Sequence, residues 1–370
     1  MRSYNKKLET YPIFRKSNRY PFSLEGLVIP VSSGELFATF TTGGTAEPRK
    51  DNITMMSRSL DGGETWQEPI TLFAHSSKGV FSTAMYERNG VIRVFLNAYR
   101  NDTNFAEDIQ SYYSESYDGG FTFTVPRSLP GCINNVHIKQ AVWNGDRLLL
   151  PFSWREIEGD EWCVPSRERE RKISVVAGQA SKQTAIPDGL PLEQCFEIWG
   201  NWAHNNTNEY VGVLISDDEG KSYQIHGRLG GTIRHLCEPT LAVLQDGSLL
   251  MFIRSNDHHA LFASRSIDGG ILWSNPERLD IPTPITKVRL YTRKNGDLLL
   301  LHNPSMDYRS PLSLWISHDN GFTWPEKVDL ISDTLRPVAY PDGFVDEDNN
   351  SLCFTWEDRQ SIYFSRWHFN

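Results

Sequence analysis

The sequence predicts an all-β fold, a six-bladed β-propeller. Three observations carry that expectation. An octet of the form Ser-x-Asp-x-Gly-x-x-aromatic, with Thr at the seventh place in three of its five copies, recurs along the chain. Two-residue hairpin turns recur at nearly constant spacing. No segment keeps a 3.6-residue apolar period over several turns. All-β folds run long as single units, so residues 1–370 are expected to form one domain.

The octets are Ser59–Trp66, Ser116–Phe123, Ser216–Tyr223, Ser266–Trp273 and Ser317–Trp324. Each follows a short apolar or alternating run such as ITMMSRS or ALFASRS, the pattern of a strand that ends in a tight turn. The Asp caps backbone N–H groups of its own turn, Gly supplies a positive φ, and the aromatic packs back between layers of strands. The octet is therefore read as a structural staple. A second set of turns lies at Ser33-Gly34, Asn89-Gly90, Asn144-Gly145, Asp246-Gly247, Asn295-Gly296 and Asp348-Asn349, flanked by strands such as LAVLQ and SLLMFI. Their spacing is 49–56 residues except for one interval of 102.

Six units of four strands follow, at about residues 24–74, 81–125, 136–230, 237–281, 284–331 and 337–370. The long interval predicts a polar insertion over 155–208, within blade three. Its alternating run Arg167–Lys172 reads as a solvated strand or loop. Its Trp162, Trp199 and Trp202 read as packing residues that could instead wall a sugar site. The last unit has no octet, so the segment around Thr10–Phe14 is expected to supply its outer strand and close the ring.

Lys and Arg number 37 against 46 Asp and Glu, a net charge of −9, which argues against a general binder of nucleic acid or anionic membranes. No apolar run reaches the length of a membrane helix, and MRSYNKKLETYPIF has no signal-peptide core, so a cytoplasmic protein is expected as the sequence stands. A secreted or periplasmic protein whose leader has been removed is the alternative. Cys132, Cys163, Cys195, Cys237 and Cys353 are odd in number and widely spaced, which predicts free thiols. His235 and His302 add no ligand spacing, so no metal and no cofactor are expected.

On these octets the chain resembles the sialidase superfamily, whose Asp box, or BNR repeat, has this form. The resemblance spans nearly the whole chain. It implies an exo-glycoside hydrolase with a retaining mechanism, acting on a terminal acidic sugar of a glycan. Such enzymes hold the sugar carboxylate with three arginines, since guanidinium makes bidentate bonds to carboxylate. A Tyr is the nucleophile, a Glu takes its proton, and an Asp protonates the leaving group.

Carried over residue by residue, CEPTLAVLQDGSLLMFIRSN puts Glu238 at the activating Glu and Arg254 at the second arginine. HNPSMDYRSP puts Arg309 at the third, and RPVAYPDGF puts Tyr340 at the nucleophile. CFTWED puts Glu357 where the family steadies its first arginine. The first arginine itself is matched by Arg19 in Asn18-Arg19-Tyr20-Pro21, about five residues too far from the next hairpin. The loop TTGGTAEPRKDN offers Glu47 and Asp51 as general acid, with Asp51 slightly preferred. Arg254 and Arg309 are each expected to end an inner strand at the ligand face.

Two further readings stand beside this one. His137 opens the inner strand of blade three, and His258 and His259 follow Arg254. A His beside Tyr340 would suit a lyase that removes the proton alpha to a uronate carboxylate. A surface or core histidine is the plainer reading, above all for His259. A propeller that binds glycans without turning them over is the third, supported by the displaced first arginine.

Overall fold

The computed structural model describes residues 7–99, 109–133, 136–155, 173–175, 209–230, 233, 235–333 and 335–369. Its strands run β1 Leu8–Phe14, β2 Ser23–Pro30, β3 Leu36–Thr42, β4 Ile53–Ser59, β5 Ile70–His75, β6 Gly79–Arg88, β7 Val91–Tyr99, β8 Gln110–Ser116 and β9 Arg127–Ser128. They continue with β10 Val136–Ile138, β11 Val142–Asn144, β12 Arg147–Arg155, β13 Ile173–Val175, β14 Glu209–Ser216 and β15 Gln224–Leu229. Next come β16 Leu236–Val243, β17 Leu249–Ser255, β18 Ala260–Ser266, β19 Glu277–Pro282, β20 Arg289–Thr292, β21 Leu298–His302, β22 Leu312–Ser317 and β23 Glu326–Ile331. The last three are β24 Ala339–Asp346, β25 Ser351–Glu357 and β26 Ile362–His368.

These strands form six antiparallel sheets, the expected six-bladed propeller. Inner hairpins follow from their turns. Between β16 and β17, Gly247 takes φ 81°, its N–H donates to Leu244 O, and Asp246 Oδ1 accepts from Ser248 N at 3.0 Å. β1 pairs with β26 as the outer strand of the sixth blade, so the closure expected at Thr10–Phe14 is present. The insertion expected over 155–208 lies outside the described residues, as do Arg167–Lys172 and its three tryptophans, apart from residue 155 and the short β13. That strand pairs with β5 and widens the first blade. No helix among the described residues is long and apolar enough to cross a membrane.

The core is the set of layers between neighbouring blades. Phe37 and Phe73 of blade one meet Val80, Val94 and Leu96 of blade two. Leu299 and Leu301 of blade five meet Leu352 and Phe354 of blade six. Each such fully buried side chain contributes about 2 kcal/mol relative to exposure.

The octets link the third strand to the fourth in blades one to five, and they behave as staples. In each, the Ser Oγ contacts the Asp Oδ1 and accepts from the Gly N–H, as at Ser216, Asp218 and Gly220, 2.7 Å in both bonds. Hydroxyl and amide donors of Ser222 help to pull the Asp218 carboxyl down to about 2. The terminal aromatic packs against the preceding blade, with Trp324 on Phe252 and Trp66 on Phe364.

A ring of arginines completes these staples. Arg58, Arg93, Arg147, Arg265 and Arg366 donate to the octet carbonyls of Gly119, Gly220, Gly269, Asn320 and Gly62, each on the next blade round. Gly220 takes φ 80°, and a Cβ there would stand 1.7 Å from Arg93 Nη1 and displace that guanidinium.

Hairpin turns and octets share one face of the ring. The starts of the inner strands and the connections from second to third strand share the other. Four inner strands carry a register shift, three of them where an acid or a phenol sits in left-handed backbone: Glu25 (φ 49°), Glu238 (φ 45°) and Tyr340 (φ 54°). Gly26, Pro239 and Pro341 follow them. Each is a residue suited to a bulge on a free inner edge. Non-Gly residues at positive φ cost about 1–3 kcal/mol and concentrate at functional sites.

Candidate active site

Tyr340 is buried near the propeller axis, and Arg254 Nη1 donates to its Oη at 3.2 Å. The same Nη1 donates to Glu238 Oε2. Tyr340 and Glu238 therefore share one face and one guanidinium nitrogen, and the hydrogen bond joining them passes through Arg254 rather than directly between them. Burial and the Glu238 charge push the Tyr340 phenol up, opposed by Arg254 and Arg309.

Arg254 lies near the end of a second strand, β17, and Arg309 in the connection after another, β21, rather than at the end of inner strands. A second strand ends at the face where its inner strand begins, so both side chains still reach the site. The Arg309 guanidinium stands over the Tyr340 ring at 5.3 Å, and its Nη2 donates to Ile285 O at 2.9 Å. Burial, reinforced by Arg359 and Arg254 and opposed by Tyr340, pulls Arg309 down to about 10.

A third guanidinium also stands over this ring, and it belongs to Arg359, 5.8 Å from the centroid. Arg359 sits in the turn between β25 and β26. Asp358 Oδ1 there accepts from Gln360 N and Ser361 N, and Arg359 takes φ 70°. Its Nε lies 3.6 Å from Glu357 Oε1 and its Nη1 3.5 Å from Glu47 Oε1. Arg19 is exposed on the loop after β1 and stacks over Tyr20 at 5.2 Å.

Glu357 also accepts from Glu25 N at 2.5 Å. Burial raises Glu357 to about 7 and Glu47 to about 8, against the pull of Arg359 in both cases. Asp51 differs in setting. Its side chain is 36% exposed and pairs with Arg49 at 3.7 Å.

A second charged group lies close by, with Lys287 Nζ 5.8 Å from the centroid of the Tyr340 ring. Lys139 Nζ is 2.9 Å from Glu25 Oε1 and 3.3 Å from Glu238 Oε1. Lys287 Nζ is 3.5 Å from Asp342 Oδ2, which also accepts from Arg289 Nε at 2.7 Å. Ser153 Oγ accepts from Glu238 N at 3.0 Å.

The histidines stand elsewhere. The His137 ring lies 5.7 Å from Tyr99, and the exposed His258 ring 5.5 Å from Phe262. His259 contacts Met306 O. His302 is buried against Trp315, and burial pushes it down to about 3. Among the described residues no group of three or more His, Cys, Asp or Glu is arranged to hold a metal.

Sequence reasoning missed Arg359, Glu25, Lys139 and Lys287. Two signals were available. Glu25-Gly26 opens its inner strand as Glu238-Pro239 and Tyr340-Pro341 open theirs. Arg359 follows Glu357 by two residues, in a turn.

A BNR repeat-like domain matches residues 191–352. No curated protein matches the chain. Among solved structures, the Hadza microbial sialidase Hz136 is 15% identical, with a TM-score of 0.72 over 97% of this chain and 68% of that one. A protein of unknown function from Dyadobacter fermentans is 16% identical, with a TM-score of 0.73 over 98% and 99%. The NanB sialidase from Streptococcus pneumoniae is 12% identical, with a TM-score of 0.69 over 97% and 70%. At these identities the likeness is one of fold. The octets and the six antiparallel sheets together define a six-bladed β-propeller. The match over residues 191–352 bears out the BNR-type repeat drawn from the octets for that part of the chain, and the six-bladed propeller is the fold seen in these sialidase structures.

Proposed function

We propose that this chain is a sialidase-like exo-glycoside hydrolase acting on a terminal acidic sugar of a glycan. The observation that carries the reading is the arrangement of Arg254, Arg309 and Arg359 around Tyr340. Three guanidiniums converging on one buried phenol suit a carboxylate ligand held beside a nucleophile.

In this reading the sugar carboxylate takes up the three arginines. Arg254 turns from Glu238 to the substrate, and Glu238 then accepts the phenolic proton as Tyr340 Oη attacks the anomeric carbon. Glu47, still protonated near neutrality because burial raises it to about 8, gives its proton to the leaving oxygen. That setting favours Glu47 over Asp51 as the acid. Water then attacks the anomeric carbon as Glu47, now deprotonated, takes its proton, and the departing Tyr340 phenolate recovers the proton held by Glu238. Glu357 holds Arg359 in place. A lyase would need His137 or His258 beside Tyr340, whereas the groups around this phenol are the three guanidiniums, which favours the hydrolase.

The test is release of aglycone from a fluorogenic α-sialoside by wild type and Tyr340→Phe. Turnover abolished by the phenylalanine supports the reading. A well-folded wild type that leaves this and other acidic-sugar glycosides intact overturns it.

A further inference from the structure

The two oxygens of Glu238 are held by two different cations. Oε2 accepts from Arg254, a member of the arginine group around Tyr340. Oε1 lies 3.3 Å from Lys139, which is itself 2.9 Å from Glu25. Lys139 follows β10 on blade three, Glu238 begins blade four and Glu25 begins blade one, so a single buried ammonium ties three blades at the axis.

We propose that Lys139 is a positioning residue, the fixed cation that holds Glu238 in place and in its charged form while Arg254 is engaged elsewhere. The proposal rests on the hydrolase reading for its use in turnover, but not for its geometry.

Three features support it. First, Lys139 is only 4% exposed and both its carboxylate partners are buried, so the bridge is shielded from water and salt. Second, its carbonyl accepts from Arg289 Nη2 and its N–H donates to Pro151 O at 3.0 Å, which fixes the backbone that carries the ammonium. Third, the Glu25 carboxylate, on a bulge in left-handed backbone, lies 2.9 Å from Lys139, so the ammonium has a second buried anchor besides Glu238.

The charged and titratable groups around Glu238 are Lys139 from blade three, Arg254 and Cys237 from its own blade, Lys287 from blade five, Tyr340 from blade six and, through Lys139, Glu25 from blade one. Burial opposes ionisation of Glu238, and Arg254 and Lys139 together outweigh it, leaving the carboxyl well below the usual range. Burial likewise opposes the Lys139 ammonium, and Glu25 and Glu238 outweigh it. With Arg254 on a substrate, Lys139 is the close cation that remains.

The experiment is an infrared pH titration of the Glu238 carboxyl in ligand-free protein labelled with ¹³C-glutamate. Each form is read as a difference against its Glu238→Gln counterpart. Lys139→Met is expected to shift the midpoint upward by at least about one pH unit, the scale of losing an adjacent opposite charge. Lys139→Arg is expected to titrate with wild type. Glu25→Gln leaves the ammonium beside Glu238, so no upward shift is expected. Lys139→Gln replaces Lys139→Met if the latter does not fold.

Equal midpoints in wild type and Lys139→Met overturn the proposal. So does a Lys139→Arg midpoint that moves as far as that of Lys139→Met. Turnover is read separately, as the acid limb of kcat/KM, which is expected to follow the carboxyl upward. A shifted carboxyl in a protein that turns over no acidic glycoside removes the hydrolase reading and leaves the role of Lys139. An unshifted carboxyl in an active enzyme does the reverse.

Discussion

Arg359 Nε stands 3.6 Å from Glu357 Oε1, in the turn that joins the second and third strands of the last blade. The resemblance implied that the guanidinium beside this Glu would come from the start of the first blade. Here that start carries Glu25, and the last blade supplies the arginine. The Arg359 carbonyl accepts from Ser23 N at 3.1 Å, so the turn is also tied to the start of the first blade.

Arg359→Lys is expected to keep the fold and lower kcat/KM on an acidic substrate by about ten- to a hundredfold, the scale of one charge-assisted hydrogen bond. Arg19→Ala is expected to change it little. Steady-state kinetics on the two variants decide the matter, and the opposite pattern would return the third position to Arg19.

Glu47→Gln separates the leaving-group proton from the rest of the site. An aryl glycoside with an acidic leaving group should still be cleaved, while a glycan with an alkoxide leaving group should not. The basic limb of kcat/KM, expected near pH 8 in wild type from the raised Glu47, should disappear. If Asp51→Asn shows that pattern and Glu47→Gln does not, the acid is Asp51.

The same raised carboxyl predicts a stability trend. Glu47 holds its proton up to about pH 8 in the folded protein, whereas an unfolded chain releases it near the ordinary Glu value. Its contribution is therefore fully present below that ordinary value and is lost as pH rises through about 8. Denaturation midpoints compared between wild type and Glu47→Gln should converge at acid pH and diverge in favour of the variant at alkaline pH. Parallel curves would mean that Glu47 is not held protonated.

The arginine ring makes a prediction remote from the site. Arg93 pairs with the buried Glu115 at 2.6 Å and reaches across to Gly220. Arg93→Leu should cost about 3 kcal/mol, because it leaves a buried charge alone. Adding Glu115→Leu should recover most of that loss. Urea unfolding measures both, and an additive double variant would show that the pair is not coupled.

Much of the fold was legible because its signals are local. An Asp, a Gly and an aromatic within eight residues report a turn and the packing behind it, and an Asn-Gly pair reports a hairpin. The positions of Glu238, Arg254, Arg309 and Tyr340 were legible through resemblance, since each sits in a strand or turn that keeps its spacing. Arg359 was not, because it reaches Tyr340 from a turn at the far end of the chain from Arg19, and only the closed ring brings that turn to the axis. Lys139 and Glu25 escaped notice because each becomes unusual only once three blades meet at the axis. The arginine ring was hidden too, because its donors lie far in sequence from the carbonyls they bind: Arg93 and Gly220 are separated by 127 positions.

The pairing of β1 with β26 also sets a timetable. Thr10 and Ser365, whose hydroxyls lie 2.8 Å apart, are separated by 355 positions. At roughly ten residues added per second, the first strand waits on the order of half a minute for its partner to be synthesised. Until then the nascent protein is an open arc, with an unpaired strand at one end and an uncovered apolar layer at the other. Both are the kind of surface that holding chaperones bind and that neighbouring nascent chains can capture. Ring closure protects the finished molecule, and the same topology leaves it exposed while it is being made.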